Sequence, residues 1–129
     1  MTTPDNKILI VDDNADMISV YRLALERMGY SVIEARDGRA CLEKMELERP
    51  DLVLLDVRLP GVSGTEVCRR LKDAVQTKDV PVIAVTASMS PEIKETMAEV
   101  GADDFLLKPI DVSDLNRVVK KHLGGKAGA

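Results

Sequence analysis

At 129 residues, the chain fits one ordinary domain, and 45% hydrophobic with 31% charged residues is the composition of a globular protein with its own core. A net charge of −4 with only 2% aromatic residues argues against a basic, base-stacking nucleic-acid module. No apolar run is long enough to span a bilayer, and the polar stretch from Met1 to Lys7 lacks a signal-peptide pattern. A cytoplasmic location is therefore expected.

Short apolar runs alternate with amphipathic stretches along the chain. Ile8 to Val11 predicts a strand buried on both faces, stopped by Asp12, Asp13 and Asn14. Ile18, Tyr21, Leu25 and Met28 recur at helical spacing, and Gly29 is placed to cap that helix. Ser31 to Ala35 predicts a second strand, followed by a turn at Asp37-Gly38 and a helix marked by Leu42 and Met45, with Pro50 ending the region. Leu52 to Leu55 predicts a third strand, stopping at Asp56. Ser63-Gly64-Thr65-Glu66 has the capping-box pattern, so a third helix with Val67, Cys68 and Leu71 inward should follow.

Val82 to Val85 predicts the fourth strand. Ser90-Pro91 reads as a helix cap followed by proline at the first position, opening a helix to Val100 that Gly101 closes. Phe105 to Leu107 predicts the fifth strand. A last helix starts near Asp111 or Ser113 and carries Leu115, Val118, Val119 and Leu123. Residues 1–123 thus form one domain, and Gly124 to Ala129 reads as a flexible tail. Cys41 and Cys68 fall on predicted apolar helix faces without metal-type spacing, which suits buried thiols.

Five strands alternating with five helices predict an α/β fold, a doubly wound parallel sheet of flavodoxin-like order 2-1-3-4-5. In such folds ligands bind at the carboxyl ends of the strands. Asp12 and Asp13 follow strand one, Asp56 ends strand three, Thr86 strand four and Lys108 strand five. Any one of these would suit an ordinary polar loop or a helix cap; the set converges on one edge. Two like charges about 4 Å apart repel by roughly 4 kcal/mol at an effective dielectric near 20. Three carboxylates there call for a cation beyond Lys108. Mg2+ suits an all-oxygen set, and no His or Cys is placed to hold zinc. A carboxylate is also a nucleophile toward phosphorus, in a transfer that needs positioning and charge neutralisation above all.

The residues that carry this chemistry resemble the receiver domain of bacterial two-component response regulators. The resemblance rests on Val11-Asp12-Asp13-Asn14, on Leu54 to Gly61 through Asp56, on Ser63-Gly64, on Val85-Thr86-Ala87 and on Gly101 to Pro109 through Lys108. It implies that Asp56 is the phosphoacceptor and that Asp12 and Asp13 hold Mg2+ together with Asp56 and the backbone carbonyl of Arg58. It implies that Thr86 is the switch hydroxyl, Phe105 the aromatic switch position and Lys108 the partner of the phosphoryl group. The Lys108-Pro109 bond is expected to be cis, and the side chains of Arg58 and Ser88 to tune hydrolysis. The implied partners are a histidine kinase or histidine phosphotransfer protein, with exposed residues of the first helix such as Arg22 offered to it. A downstream protein target would read the face built by the fourth helix, fifth strand and fifth helix. No direct nucleic-acid contact and no membrane insertion are expected.

Plainer readings stand beside these. Phe105 also suits a core aromatic, and His122 a cation near a helix C-terminus. Met17, Met28, Met45 and Met97 suit packing or a partner surface. A dehalogenase-type phosphatase would want a second Asp two residues after the nucleophile, where Arg58 stands. An FMN carrier would want a phosphate cradle where Asp12-Asp13 stand. A docking module of the same family that never carries phosphate is a third alternative.

Overall fold

The structure, a computed structural model, describes residues 6–124. Five strands run in parallel in the order β2-β1-β3-β4-β5: β1 Lys7–Val11, β2 Ser31–Ala35, β3 Leu52–Asp56, β4 Val82–Thr86 and β5 Asp104–Leu107. The helices between and after them are α1 Ala15–Arg27, α2 Gly38–Glu48, α3 Gly64–Asp73, α4 Pro91–Glu99 and α5 Val112–Val119. The flavodoxin-like order and the helix count agree with the sequence expectation.

The period of two in the strands divides the core. Ile8 and Ile10, Leu52 and Leu54, Ile83 and Val85 face one layer with Ile18, Tyr21 and Leu25 of α1 and Leu115, Val118 and Val119 of α5. Leu9 and Val11, Val53 and Leu55, Val82 and Ala84 face the other, with Cys41, Val67, Cys68 and Met97. Apolar side chains on both faces are why the central strands read as continuous runs rather than alternating ones. Cys41 and Cys68 are buried free thiols, and burial pushes them up to about 12 and about 11 respectively.

Each helix start has a side-chain cap: Asn14, Asp37, Ser63, Ser90 and Asp111 each accept from an N–H of the first turn. Three local expectations are refined. Asp37-Gly38 turns the chain and is at the same time the cap and first residue of α2, with Gly38 buried against Val62. Ser63 accepts from the Glu66 amide, but the Glu66 carboxylate turns to Arg69 and Arg70, so only half the capping box forms. The last helix leaves α geometry after Val119 and ends in a π-helical turn over Lys120–Gly124. Gly124 therefore closes that turn, and the rest of the expected tail, 125–129, lies outside the described residues. No described helix is long and apolar enough to cross a membrane.

Candidate functional site

Parallel pairing sets the strand ends side by side. Val11 pairs with Leu55, Asp56 with Val85, and Thr86 with Leu107, so the residues that follow or end these strands meet at one edge. Asp12 is 2% exposed, tied to β2 by its amide on the Ala35 carbonyl at 3.1 Å. Its Oδ1 accepts from the Asn14 amide at 2.9 Å. Asp13 is exposed. Asp56 is 5% exposed and accepts from the Arg58 amide at 2.9 Å through Oδ1.

Lys108 reaches over the end of β4 to both buried acids. Its Nζ lies 2.8 Å from Asp12 Oδ2 and 2.8 Å from Asp56 Oδ2. Its own amide donates to the Thr86 carbonyl at 2.8 Å, continuing the β4–β5 ladder and aiming the side chain. The Lys108-Pro109 bond is cis.

Burial pushes the Asp56 carboxyl above the usual range, against the opposing pull of Lys108 and the Arg58 amide; Asp12 adds to the rise. For Lys108 burial works against the charge, but the bonds to Asp12 and Asp56 outweigh it and hold the ammonium above its ordinary value. One carboxylate oxygen from each of Asp12, Asp13 and Asp56 lies within 4.8 Å of the others. Two buried acids, one exposed acid and no nitrogen or sulfur donor form a set that fits a hard divalent cation of the Mg2+ type.

Thr86 ends β4 and is 3% exposed. Its hydroxyl is occupied twice within its own loop, donating to the Ser88 carbonyl at 3.0 Å and accepting from the Ser88 amide at 3.1 Å. Phe105 pairs with Ala84 and packs, half-buried, against the α2–α3–α4 layer. The Arg58 side chain is exposed. His122 does more than sit near a helix end: its Nε2 lies 3.1 Å from Asp104 Oδ2. Arg22, expected to be available to a partner, is ion-paired to Glu34 at 2.6 Å and Glu26 at 3.0 Å. Glu34 lies on β2, across a gap that helical spacing in α1 does not reveal.

Close packing behind the acids leaves no slack. A Cβ on Gly64 would collide with the Asp56 carbonyl oxygen and stand 2.8 Å from Val57 Cα. A cavity of about 590 Å3 opens at the other end of α2 and α3, lined by Leu42, Met45, Arg49, Arg70 and Val80 among others, and contains none of the strand-end groups.

Residues 8–120 match the family model described as response regulator receiver domain. The chain belongs to that family, the receiver domains of two-component systems, which are signalling domains for which phosphorylation is the family function. It is 38% identical over 117 residues to the polar-differentiation response regulator DivK of Brucella anthropi, covering 91% of this chain and 95% of that protein. It is 41% identical over 116 residues to the alkaline phosphatase synthesis transcriptional regulatory protein PhoP of Bacillus subtilis; the match takes in 90% of this chain but 48% of PhoP, so the chain spans about half the length of that relative. Among solved structures, chemotaxis protein CheY4 of Vibrio cholerae superposes with a TM-score of 0.89 at 32% identity, over 93% of this chain and all of the other. The receiver domain of sensor histidine kinase PA1611 of Pseudomonas aeruginosa, solved with a magnesium ion coordinated in its active-site cleft, superposes at 0.86 with 30% identity, over 94% and 99% of the two chains.

Proposed function

We propose that this chain takes a phosphoryl group from a phosphohistidine onto Asp56, with Mg2+, and thereby switches a protein-binding surface. One observation carries the reading. Asp56 is a buried carboxylate gripped by the Arg58 amide and Lys108, with oxygens of Asp12 and Asp13 within 4.8 Å of its own.

A lone pair of an Asp56 carboxylate oxygen attacks phosphorus, the P–N bond to the donor imidazole breaks, and its electron pair returns to the ring nitrogen. Asp12, Asp13, Asp56 and the Arg58 carbonyl would hold Mg2+, which supplies positive charge against the phosphoryl oxygens. Lys108, already at Asp56, has the charge and reach to pair with the same group. Slow attack of water on phosphorus would return Asp56, with the exposed Arg58 and Ser88 at the mouth of the site.

The Thr86 hydroxyl must give up both Ser88 contacts to turn toward Asp56, which makes the β4–α4 loop a two-position element. Phe105 would follow it inward. The changed surface would be the face of α4, β5 and α5, where Leu107 and Val112 stand 50% and 54% exposed. On the donor side, Val20 and Leu23 of α1 are exposed apolar residues beside the acid end and suit a histidine kinase or histidine phosphotransfer protein. This reading takes residues 1–123 as the receiver, carried on to Gly124 by the π-helical turn, in the cytoplasm.

The test is intact mass after incubation with Mg2+ and acetyl phosphate. The expected result is a Mg2+-dependent gain of one phosphoryl group, absent in Asp56→Asn. A folded, Mg2+-binding protein that gains nothing would leave a docking module instead.

A further inference from the structure

The cavity of about 590 Å3 between the ends of α2 and α3 combines an apolar lining with cationic side chains. Leu42, Met45, Leu71 and Val80 belong to one packed layer, yet around them that layer does not close. Folded interiors leave few voids larger than a water molecule, so apolar walls around this much space lack the contacts that packing would supply. The volume lies within the range of small-molecule sites.

The wall is tied in place. The α3–β4 connection forms one side through Thr77 and Val80. The Thr77 hydroxyl donates to the Leu71 carbonyl at 2.6 Å. Lys72 Nζ donates to the carbonyls of Lys78 and Val80 at 3.1 and 2.9 Å and to the Asp103 carboxylate at 2.8 Å. An occupant therefore meets a shaped space and does not have to order a loop.

Charge narrows the choice of occupant. Arg49 lines the cavity, is exposed, and has no ion-pair partner among the described residues; the adjacent Glu48 is taken by Lys7 at 3.1 Å. Arg49 ends α2 at φ +50, a left-handed position that glycine or asparagine fills at less cost, so the backbone gives no reason for a long cationic side chain there. Arg70 also lines the cavity; its Nε pairs with Glu66 at 2.8 Å, but that carboxylate serves Arg69 as well. Glu46 is the one acid of the lining, so two guanidinium groups stand against a single carboxylate.

We propose that this cavity binds a small amphiphilic anion, an aliphatic carboxylate whose chain lies against Leu42, Met45, Leu71 and Val80 and whose head pairs with the Arg49 guanidinium. The site shares no residue with the strand-end acids and does not depend on the phosphoryl-transfer reading.

The probe is decanoate below its micelle concentration, titrated into the whole chain and followed by 1H–15N NMR and calorimetry. Saturable one-to-one binding is expected, with shifted amides centred on Met45, Arg49, Leu71 and Val80. Decanol has the chain without the charge and acetate the charge without the chain, so each should bind about tenfold more weakly or worse. Arg49→Asn removes the guanidinium at a backbone position asparagine accepts, and should weaken decanoate by about tenfold. Leu42→Trp should abolish binding by filling the space; if that variant misfolds, Arg49→Asn decides. Leu47→Ser, at a 79% exposed residue outside the lining, should change nothing. No saturable binding, equal binding in Arg49→Asn, equal binding of decanol, or shifts centred on Leu23 or Leu107 overturns the proposal. If decanoate does not bind but the chain dimerises and Leu42→Trp abolishes dimers, the occupant is a second copy and the proposal falls.

Discussion

Lys108 Nζ sits 2.8 Å from Asp56 Oδ2 although 52 residues separate the two in the chain. The same nitrogen is 2.8 Å from Asp12 Oδ2, so one ammonium is shared by the only two buried carboxylates among the described residues. A divalent cation placed among Asp12, Asp13 and Asp56 would compete for the oxygens that Lys108 now holds.

That competition gives opposite effects on binding and chemistry. Lys108→Met should bind Mg2+ several-fold more tightly by calorimetry, since a nearby positive charge is gone. Phosphoryl uptake should nevertheless fall by about a hundredfold, the scale of losing one charged group that stabilises a transition state. Weaker Mg2+ binding in the variant would contradict the shared-oxygen account.

Asp56 is raised chiefly by burial, so the folded protein holds its proton more tightly than the unfolded chain does. The sign follows by linkage: this group favours folding below its ordinary value of 3.8, and that contribution is lost as pH rises through the higher folded value. In chelator at neutral pH, Asp56→Asn should therefore melt at a higher temperature than the wild type. The gain should shrink as pH is lowered and wild-type Asp56 becomes neutral too. Calorimetry across the acid range checks both parts; a less stable variant at pH 7 would refute it.

Asp104 behaves in the opposite sense. Burial alone would raise it, but the Phe105 amide, His122 and Lys121 outweigh burial and lower it below 3.8. Its stabilising contribution is present above that value and is lost as pH falls through the lower folded one. Asp104→Asn should cost about 1 kcal/mol at neutral pH, since it weakens the links from β5 to Lys121 and His122 of the π-helical turn. Urea titration measures this, and the difference from wild type should fade in strong acid.

Gly64→Ala tests the packing behind the site. All three nearest atoms are backbone atoms of Asp56 and Val57, the closest being the Asp56 carbonyl oxygen, so no side chain can swing aside. A loss of about 1–3 kcal/mol is expected, the usual penalty of overpacking. Slower phosphoryl uptake should accompany it because Asp56 must move. A neutral substitution would mean that the β3–α3 connection is softer than these contacts imply.

On α1, Arg22 and Leu23 separate structural from partner effects. Arg22→Glu would leave Glu26 and Glu34 facing a third acid, so about 1 kcal/mol of stability should go with it. Leu23 is 53% exposed, and Leu23→Asp should change stability by less than about 0.5 kcal/mol. Transfer from a phosphohistidine donor should drop in Leu23→Asp while uptake from acetyl phosphate persists. Equal rates from both donors in wild type and variant would remove α1 from the donor face.

The element order was legible because each strand is a short apolar run and each helix opens on a capping residue, signals that act within a few positions. Asp37-Gly38 turns the chain as expected, but an Asx residue before glycine serves a turn or a helix cap equally well, and here the same pair also caps and opens α2. The Asp37 carboxylate accepting from the Ala40 amide makes it a cap, and the close approach of Val62, 24 positions away, fixes where that helix starts. Likewise Glu66 could complete a capping box or pair along its helix, and the two arginines at i+3 and i+4 win.

By itself, the sequence determined which groups stand at the strand ends, since a run of apolar residues stops where the sheet stops. Asp12, Asp56, Thr86 and Lys108 could be placed at one edge from that rule and the parallel order alone. Tertiary structure alone decided what each touches: Lys108 bridging two acids, Thr86 turned to Ser88, Arg22 held by Glu34, and Tyr21 with no partner for its hydroxyl among the described residues. Those contacts depend on register and on side-chain reach across strands and helices. Local propensity carries no information about such distances until the chain has closed on itself.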